Sequence, residues 1–263
     1  MRPLATLKAE EARAIEVLLF DLDDTLLSHG VLTRAAYDAL WSMHDAGLAL
    51  VAVTGRPAGW GEVVARQWPL LGVVAENGAA LMWLDPKRGL VRSLRGSIAS
   101  RALDRARLDA IVADVRDEVP GVELADDNGA RLTDVTFDIG ERVRLGEAAI
   151  QAARARIHAA GARSIRSSVH LHATFEGDDK ASGALRMLAE RRALDPCVAR
   201  LRAAFIGDSE NDAACFSCFR TTFGVANVAR WTARLSLPPH YVAPSEMGAG
   251  FAEVASAPVA ARA

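Results

Sequence analysis

FDLDDTLL, residues 20–27, follows directly on the apolar run Val17, Leu18, Leu19. The run reads as a buried strand, and Asp21, Asp23 and Asp24 stand where it ends. Like charges packed so closely repel one another unless a cation or a reaction uses them. The same pattern recurs further along the chain.

Short apolar runs alternate with helical periodicity through the first third. Val17–Phe20 is a predicted strand and Thr33–Ala46 a helix closed by Gly47. Leu48–Val53 is a second strand, Ala58–Gln67 a helix and Val73–Ala75 a third strand. Unbroken apolar strands separated by helices indicate a parallel sheet covered on both faces. The pattern returns with a helix at Lys180–Arg192, a strand at Ala203–Ile206, a helix at Asn211–Phe219 and a strand at Thr222–Ala226.

The middle of the chain follows another rule. Ala102–Val119 places Leu108, Ile111, Val112, Val115 and Val119 on one helical face. In Thr133–Ile139, Val135, Phe137 and Ile139 alternate with Asp134, Thr136 and Asp138. After a helix over Leu145–Ala160, Ser167–Phe175 alternates Val169, Leu171, Ala173 and Phe175 with Ser168, His170, His172 and Thr174. Period-two alternation marks a sheet buried on one face only. The fold class is therefore α/β: a Rossmann-like, doubly wound parallel sheet core with an inserted α+β cap. The expected division is core over 1–84, cap over 85–175 and core again over 176–263. The tail beyond Ala255 reads as frayed.

Ligands of open α/β sheets bind beyond the carboxyl ends of the strands. The first strand ends in Asp21, Asp23, Asp24 and Thr25, the second in Thr54, Gly55 and Arg56, the third in Glu76, Asn77 and Gly78. Ala203–Ile206 leads into Gly207, Asp208, Ser209, Glu210, Asn211 and Asp212. Carboxylates gathered from separate strands favour a hard divalent cation, Mg²⁺ above all where dedicated ligands are few.

These four groups (DxDxT, Thr-Gly-Arg, a lysine opening a helix, GDxxND) resemble the haloacid dehalogenase superfamily in order and spacing. The position of the insert is similar to the C2-type cap, and ENGA at 76–79 to the IIB branch with its sugar-phosphate phosphatases. The resemblance implies Asp21 as nucleophile and Asp23 as general acid/base. It implies that Asp21, the Asp23 backbone carbonyl, Asp208 and Asp212 hold Mg²⁺. Thr54, Lys180 and Asn211 would meet the phosphoryl group, with Ser209 orienting its neighbours. Asp178 or Asp179 would steady Lys180. Asp24 and Thr25 serve equally well as turn caps. From the cap and loops, Arg56, Asn77, Arg166, His170 and His172 are the candidate substrate contacts, Arg166 for a second anionic group. His170 and His172 would also suit a metal pair, for which no third ligand is evident.

The implied function is a Mg²⁺-dependent phosphatase acting on a small phosphorylated metabolite, a sugar phosphate or phosphoglycosyl compound, through aspartyl-phosphate. The alternatives are a phosphosugar mutase and a non-catalytic sugar-phosphate-binding protein. The 263 residues carry a formal net charge of −2, which gives no reason to expect nucleic acid or an anionic membrane as partner. With a charged start and no apolar run of membrane-spanning length, a cytoplasmic monomer or homodimer is expected. The three cysteines form no disulfide framework, and Cys215 and Cys218 read as thiols of a packed helix. The five tryptophans read chiefly as packing residues.

Overall fold

The computed structural model describes residues 1–167 and 169–262. The core opens with β1 (Val17–Phe20), α1 (Arg34–Asp45), β2 (Ala49–Val53), α2 (Ala58–Gln67) and β3 (Gly72–Ala75), and continues with β4 (Ala80–Asp85) and β5 (Gly89–Leu94). The cap follows as α3 (Ile98–Glu118), β6 (Glu123–Leu124), β7 (Asp134–Asp138), α4 (Glu147–Ala159), β8 (Arg163–Arg166) and β9 (His170–Thr174). The chain returns to the core through α5 (Lys180–Arg192), α6 (Pro196–Arg202), β10 (Ala203–Gly207), α7 (Ala213–Cys218), β11 (Thr221–Gly224), β12 (Tyr241–Val242) and α8 (Met247–Ala260).

Among the described residues nine strands form the core sheet, in the order Arg2–Pro3, β12, β11, β10, β1, β2, β3, β4, β5. Pairing is parallel as far as β3 and antiparallel across β4 and β5. Residues of β1 alternate between two cores. Leu18 and Phe20 pack with Leu40, Met43 and Phe251 of α1 and α8, while Val17 and Leu19 pack with Met187, Leu188 and Phe216 of α5 and α7. Each such apolar side chain, taken fully out of water, contributes about 1.5–3 kcal/mol.

The cap sheet is antiparallel in the order β8, β9, β7, β6. Val135, Phe137, Leu171 and Ala173 pack with Leu108, Ile111, Val115, Ile150 and Ile157 of α3 and α4. That leaves Asp134, Thr136, Asp138, His170, His172 and Thr174 on the other face, as the alternation predicts. All six are nonetheless buried. Ser168 lies outside the described residues.

Two expectations change. The boundary at residue 85 cuts through the β4–β5 hairpin, whose backbone pairing extends the core sheet to Leu94. The hairpin belongs with the core sheet by its pairing to β3, so we propose the cap as residues 95–175. The tail is no frayed end either. α8 runs to Ala260, Phe251, Val254 and Pro258 are buried, and Arg13 Nε donates to the Ala261 carbonyl at 2.9 Å. Among the described residues no helix is long and apolar enough to cross a membrane.

Candidate active site

β1 delivers Asp21 to the carboxyl edge of the sheet, and the chain then turns sharply, with Asp24 in the left-handed region at φ 54°. Lys180, the first residue of α5, reaches back under the sheet edge. Its Nζ donates to Asp21 Oδ1 at 2.9 Å and to Asp212 Oδ1 at 2.7 Å. Lys180 is 1% exposed, and its two carboxylate partners hold its ammonium above the ordinary lysine range against the opposing effect of burial. Asp212 Oδ2 accepts from the backbone N–H groups of Asp208 and Ser209 at 2.9 and 3.1 Å. Asp208 accepts from Thr25 Oγ1 at 3.3 Å and from Asn227 Nδ2 at 2.9 Å.

Asp21, Asp208 and Asp212 bring carboxylate oxygens within 4.8 Å of one another. Burial pushes Asp21 up to about 7, with Lys180 opposing, and pushes Asp208 well above the carboxylate range, assisted by Asp212 and Asp21. Three buried carboxylates against one ammonium leave negative charge that a hard divalent cation neutralises, so the donor set fits Mg²⁺. Asp21 and Asp208 are the better direct ligands. Asp212 carries the most partners, the Lys180 ammonium on one oxygen and two backbone N–H groups on the other, which suits it to a place behind the first ligands.

Asp23 occupies a different sub-site. Arg56 grips it with two bonds of 2.8 Å, from Nε and Nη2. The same Nη2 donates to Glu141 Oε1 of the cap at 3.0 Å, and Glu141 Oε2 meets His170 Nε2 at 2.8 Å. This chain, Asp23 to Arg56 to Glu141 to His170, crosses from core to cap. His170 leads, with Arg56, in drawing Glu141 down to about 2. The Arg56 guanidinium also lies 4.9 Å from the centroid of the Trp60 ring. A cavity of about 220 Å³ opens beside it, lined by Asp23, Asp24, His29, Arg56, Glu141 and Val169. An apolar hollow of about 620 Å³ is larger, but it lies at the β12 edge among Leu4, Leu7 and Val242, away from these groups.

The third strand end forms the seam between core and cap. Glu76 and Asn77 both have φ near 50°, and Gly78 has φ 109°. A Cβ on Gly78 would stand 2.0 Å from the Asp179 carbonyl, so only glycine lets α5 start this close to the turn. The Glu76 carboxylate accepts from Ala58 N at 2.9 Å in the core and from Leu132 N at 2.8 Å and Thr133 N at 2.6 Å in the cap. Arg131 of the cap donates to the Gly55 carbonyl at 3.0 Å and to both oxygens of Asp134 at 3.1 Å.

The strand ends therefore bring Asp21, Asp208, Asp212 and Lys180 together, set Asp23 and Arg56 beside them, and leave buried Thr54 accepting from Arg56 N at 3.0 Å. Asn211 Nδ2 faces Asn77 Oδ1 at 3.4 Å, and Gly55 adjoins Asn77 and His172. Arg166 is a correction. It is opposite Leu171 in the register, on the face turned toward the cap helices, and it pairs with Glu147 at 2.9 Å. Asp178 and Asp179 also differ from expectation. Asp179 caps α5 by accepting from Ser182 N at 2.7 Å, and Asp178 pairs with Arg95 and Arg186, so neither touches Lys180. Nor do His170 and His172 form a metal pair: each ring faces a carboxylate, and among the described residues the one acidic or imidazole cluster close enough for an ion is Asp21, Asp208 and Asp212. Asn227, Glu141 and Arg131 went unread in the sequence. Asn227 lies three residues beyond β11, so extending the strand-end rule one strand further would have found it.

Residues 18–106 match the family described as haloacid dehalogenase-like hydrolase. No curated protein matches the chain. Among solved structures, a Thermoplasma acidophilum protein aligns with TM-score 0.71 at 18% identity, over 91% of this chain and 96% of its own. The sucrose-phosphatase of Synechocystis, solved with sucrose and phosphate, aligns with TM-score 0.64 at 17% identity, over 93% and 97%. A haloalkanoate-superfamily phosphatase from Bacteroides thetaiotaomicron gives TM-score 0.60 at 20% identity, over 96% and 97%. Fold and family match bear out the resemblance to the haloacid dehalogenase superfamily read from the four motifs.

Proposed function

We propose that the chain is a Mg²⁺-dependent phosphatase acting on a small phosphorylated metabolite of the sugar-phosphate class. The observation that carries this reading is the contact of 2.9 Å between Lys180 Nζ and a buried Asp21 that lies within 4.8 Å of Asp208 and Asp212. A buried carboxylate with an ammonium at hydrogen-bond distance, two residues from the Asp23 that lines the cavity, is equipped to be a nucleophile once a cation adds to the charge that Lys180 supplies. Asp21, Asp208 and the Asp23 carbonyl would hold Mg²⁺, which when bound neutralises charge on the phosphoryl oxygens.

In the first half of the reaction an Asp21 oxygen attacks phosphorus and forms an acyl-phosphate bond. The ester P–O bond breaks, and the departing oxygen takes a proton from Asp23. In the second half Asp23 takes a proton from water, whose oxygen attacks phosphorus and restores Asp21 with release of phosphate. Lys180 and Thr54 face the phosphoryl group, while Asn211 fixes Asn77 beside them. To pass protons, Asp23 has to slacken its two bonds to Arg56, and Glu141 offers that guanidinium an alternative partner. The buried polar face of the cap, with Thr136, His170 and His172, suits a hydroxyl-rich leaving group.

The test is phosphate release from phosphorylated sugars, sugar acids and nucleotides, with Mg²⁺ and with EDTA, for the wild type and Asp21→Asn. Release from one sugar class, lost in EDTA and reduced at least about 10³-fold by the substitution, is expected. Silence across the panel from folded, metal-loaded protein overturns the reading. Isomerised product without free phosphate would turn it into a mutase.

A further inference from the structure

Two buried polar atoms near Gly55 find no hydrogen-bond partner among the described residues: Asn77 Nδ2 and His172 Nε2. Their residues are 2% and 1% exposed. They lie close together, since a Cβ on Gly55 would be crowded by Asn77 Oδ1 at 3.1 Å, Asn77 Nδ2 at 3.2 Å and His172 Nε2 at 3.3 Å. Glycine at this position lets both side chains come in so near, which sets the two unpartnered atoms at the same point of the seam between core and cap.

The neighbours of each group decide its chemistry. On the core side, Ser209 Oγ donates to Asn211 Oδ1 at 2.7 Å and Asn211 Nδ2 donates to Asn77 Oδ1 at 3.4 Å. The amide oxygen of Asn77 is thereby taken and its NH₂ remains as a donor. On the cap side, the two bonds from Arg131 keep Asp134 a carboxylate, and Asp134 Oδ2 lies 2.9 Å from His172 Nδ1. A carboxylate donates nothing, so the ring proton sits on Nδ1, where Thr136 Oγ1 at 2.8 Å shares it. Nε2 is left as a bare lone pair. Burial also keeps His172 neutral, titrating near 4.

One uncharged donor and one uncharged acceptor at a single spot match a hydroxyl, which accepts and donates at once. A phosphoryl oxygen has no proton for Nε2 and is repelled by its lone pair. An ammonium would satisfy Nε2 but face the Asn77 N–H groups. We infer that Asn77 and His172 jointly read one hydroxyl of the leaving group, which accepts from Asn77 Nδ2 and donates to His172 Nε2. They are specificity-determining residues, and the substrate is a phosphate ester of a polyol or sugar; the inference rests on the phosphatase reading.

The experiment compares kcat/KM for hexose 6-phosphates, pentose 5-phosphates and glycerol 1-phosphate with that for acetyl phosphate, which carries no hydroxyl. In His172→Phe and in Asn77→Gly the ratio of the best sugar ester to acetyl phosphate falls roughly 10- to 100-fold. A deoxy analogue lacking the contacted hydroxyl shows the same fall in the wild type and no further fall in His172→Phe. His172→Gln, whose carbonyl can accept, restores part of the ratio. Should His172→Phe fail to fold, Asn77→Gly carries the test, because glycine is at ease at the φ of 52° found there. An unchanged ratio in folded variants, or sugar ester and acetyl phosphate falling together, overturns the inference. If the wild type hydrolyses no ester, the phosphatase reading fails separately, and thermal stabilisation by free hexoses decides. A shift lost in Asn77→Gly supports the pair, and no shift in the wild type sinks it.

Discussion

Asp21 and Asp208 are carboxylates that their surroundings push toward neutrality, and Lys180 compensates only part of their charge. A cation that supplies the remainder stabilises the folded chain by mass action. At Mg²⁺ about 100-fold above its Kd, the melting temperature is expected to rise by about 5–10 °C over that in EDTA. Asp208→Asn removes one buried charge, so its metal-free form melts no lower than the metal-free wild type, and it loses the Mg²⁺ shift; differential scanning calorimetry reads both. His172 gives a second handle on the residue scale. Folded, it titrates near 4; unfolded, near its ordinary 6.5. The unfolded chain therefore takes up the proton first. The contribution is fully present above about pH 6.5 and is lost as pH falls through 4. Between pH 7 and 5 the wild type should lose about 2 kcal/mol that His172→Gln does not, measured by urea unfolding at each pH.

At the scale of elements, the left-handed turn Glu76–Gly78 seats the start of α5, and with it Lys180. Gly78→Ala drives a methyl into the Asp179 carbonyl and should cost about 3 kcal/mol or more, seen as a melting temperature lowered by about 10 °C. How far such features were legible in the sequence follows from their range. Apolar runs without interruption specify the central strands, because both faces of a parallel sheet are buried. Ala58–Gln67 and Lys180–Arg192 were read with the bounds observed, since apolar residues recur at helical spacing within each. The β4–β5 hairpin was split because no strand was read over 80–94, and to which sheet an edge strand pairs is not a local property of its sequence. For the site, strand ends disclosed Asp21, Thr54, Asn77 and Asp208, whose positions are local. Arg166 was misplaced because β8, Arg163–Arg166, is a strand of weak alternation, so its face depended on a register with β9 that local sequence leaves open. Glu141 and Arg131 were missed for a related reason: their partners lie 85 and 76 residues away, at Arg56 and Gly55.

Across the whole molecule, core and cap meet at two seams of different character. One is buried, formed by Glu76 with the Leu132 and Thr133 amides and by Arg131 with the Gly55 carbonyl. The other, Arg56 to Glu141, borders the cavity, and its glutamate side chain is 39% exposed. Water competes more effectively for the second, so it is the seam expected to part first when the cap lifts. Glu141→Gln weakens the charge-assisted bond and should speed hydrogen exchange of the Gly140–Val143 amides several-fold, with the Leu132 and Thr133 amides little affected. The position of Arg56 over Trp60 adds a consequence of another kind. Trp60 is 37% exposed, and the guanidinium at its ring face is held by Asp23 of the core and by Glu141 and Asp127 of the cap. Its emission is thus a natural optical gauge of the lid. Rapid mixing with Mg²⁺ and inorganic phosphate should produce a fluorescence transient that Trp60→Phe abolishes and Glu141→Gln accelerates, letting opening be timed without any attached dye.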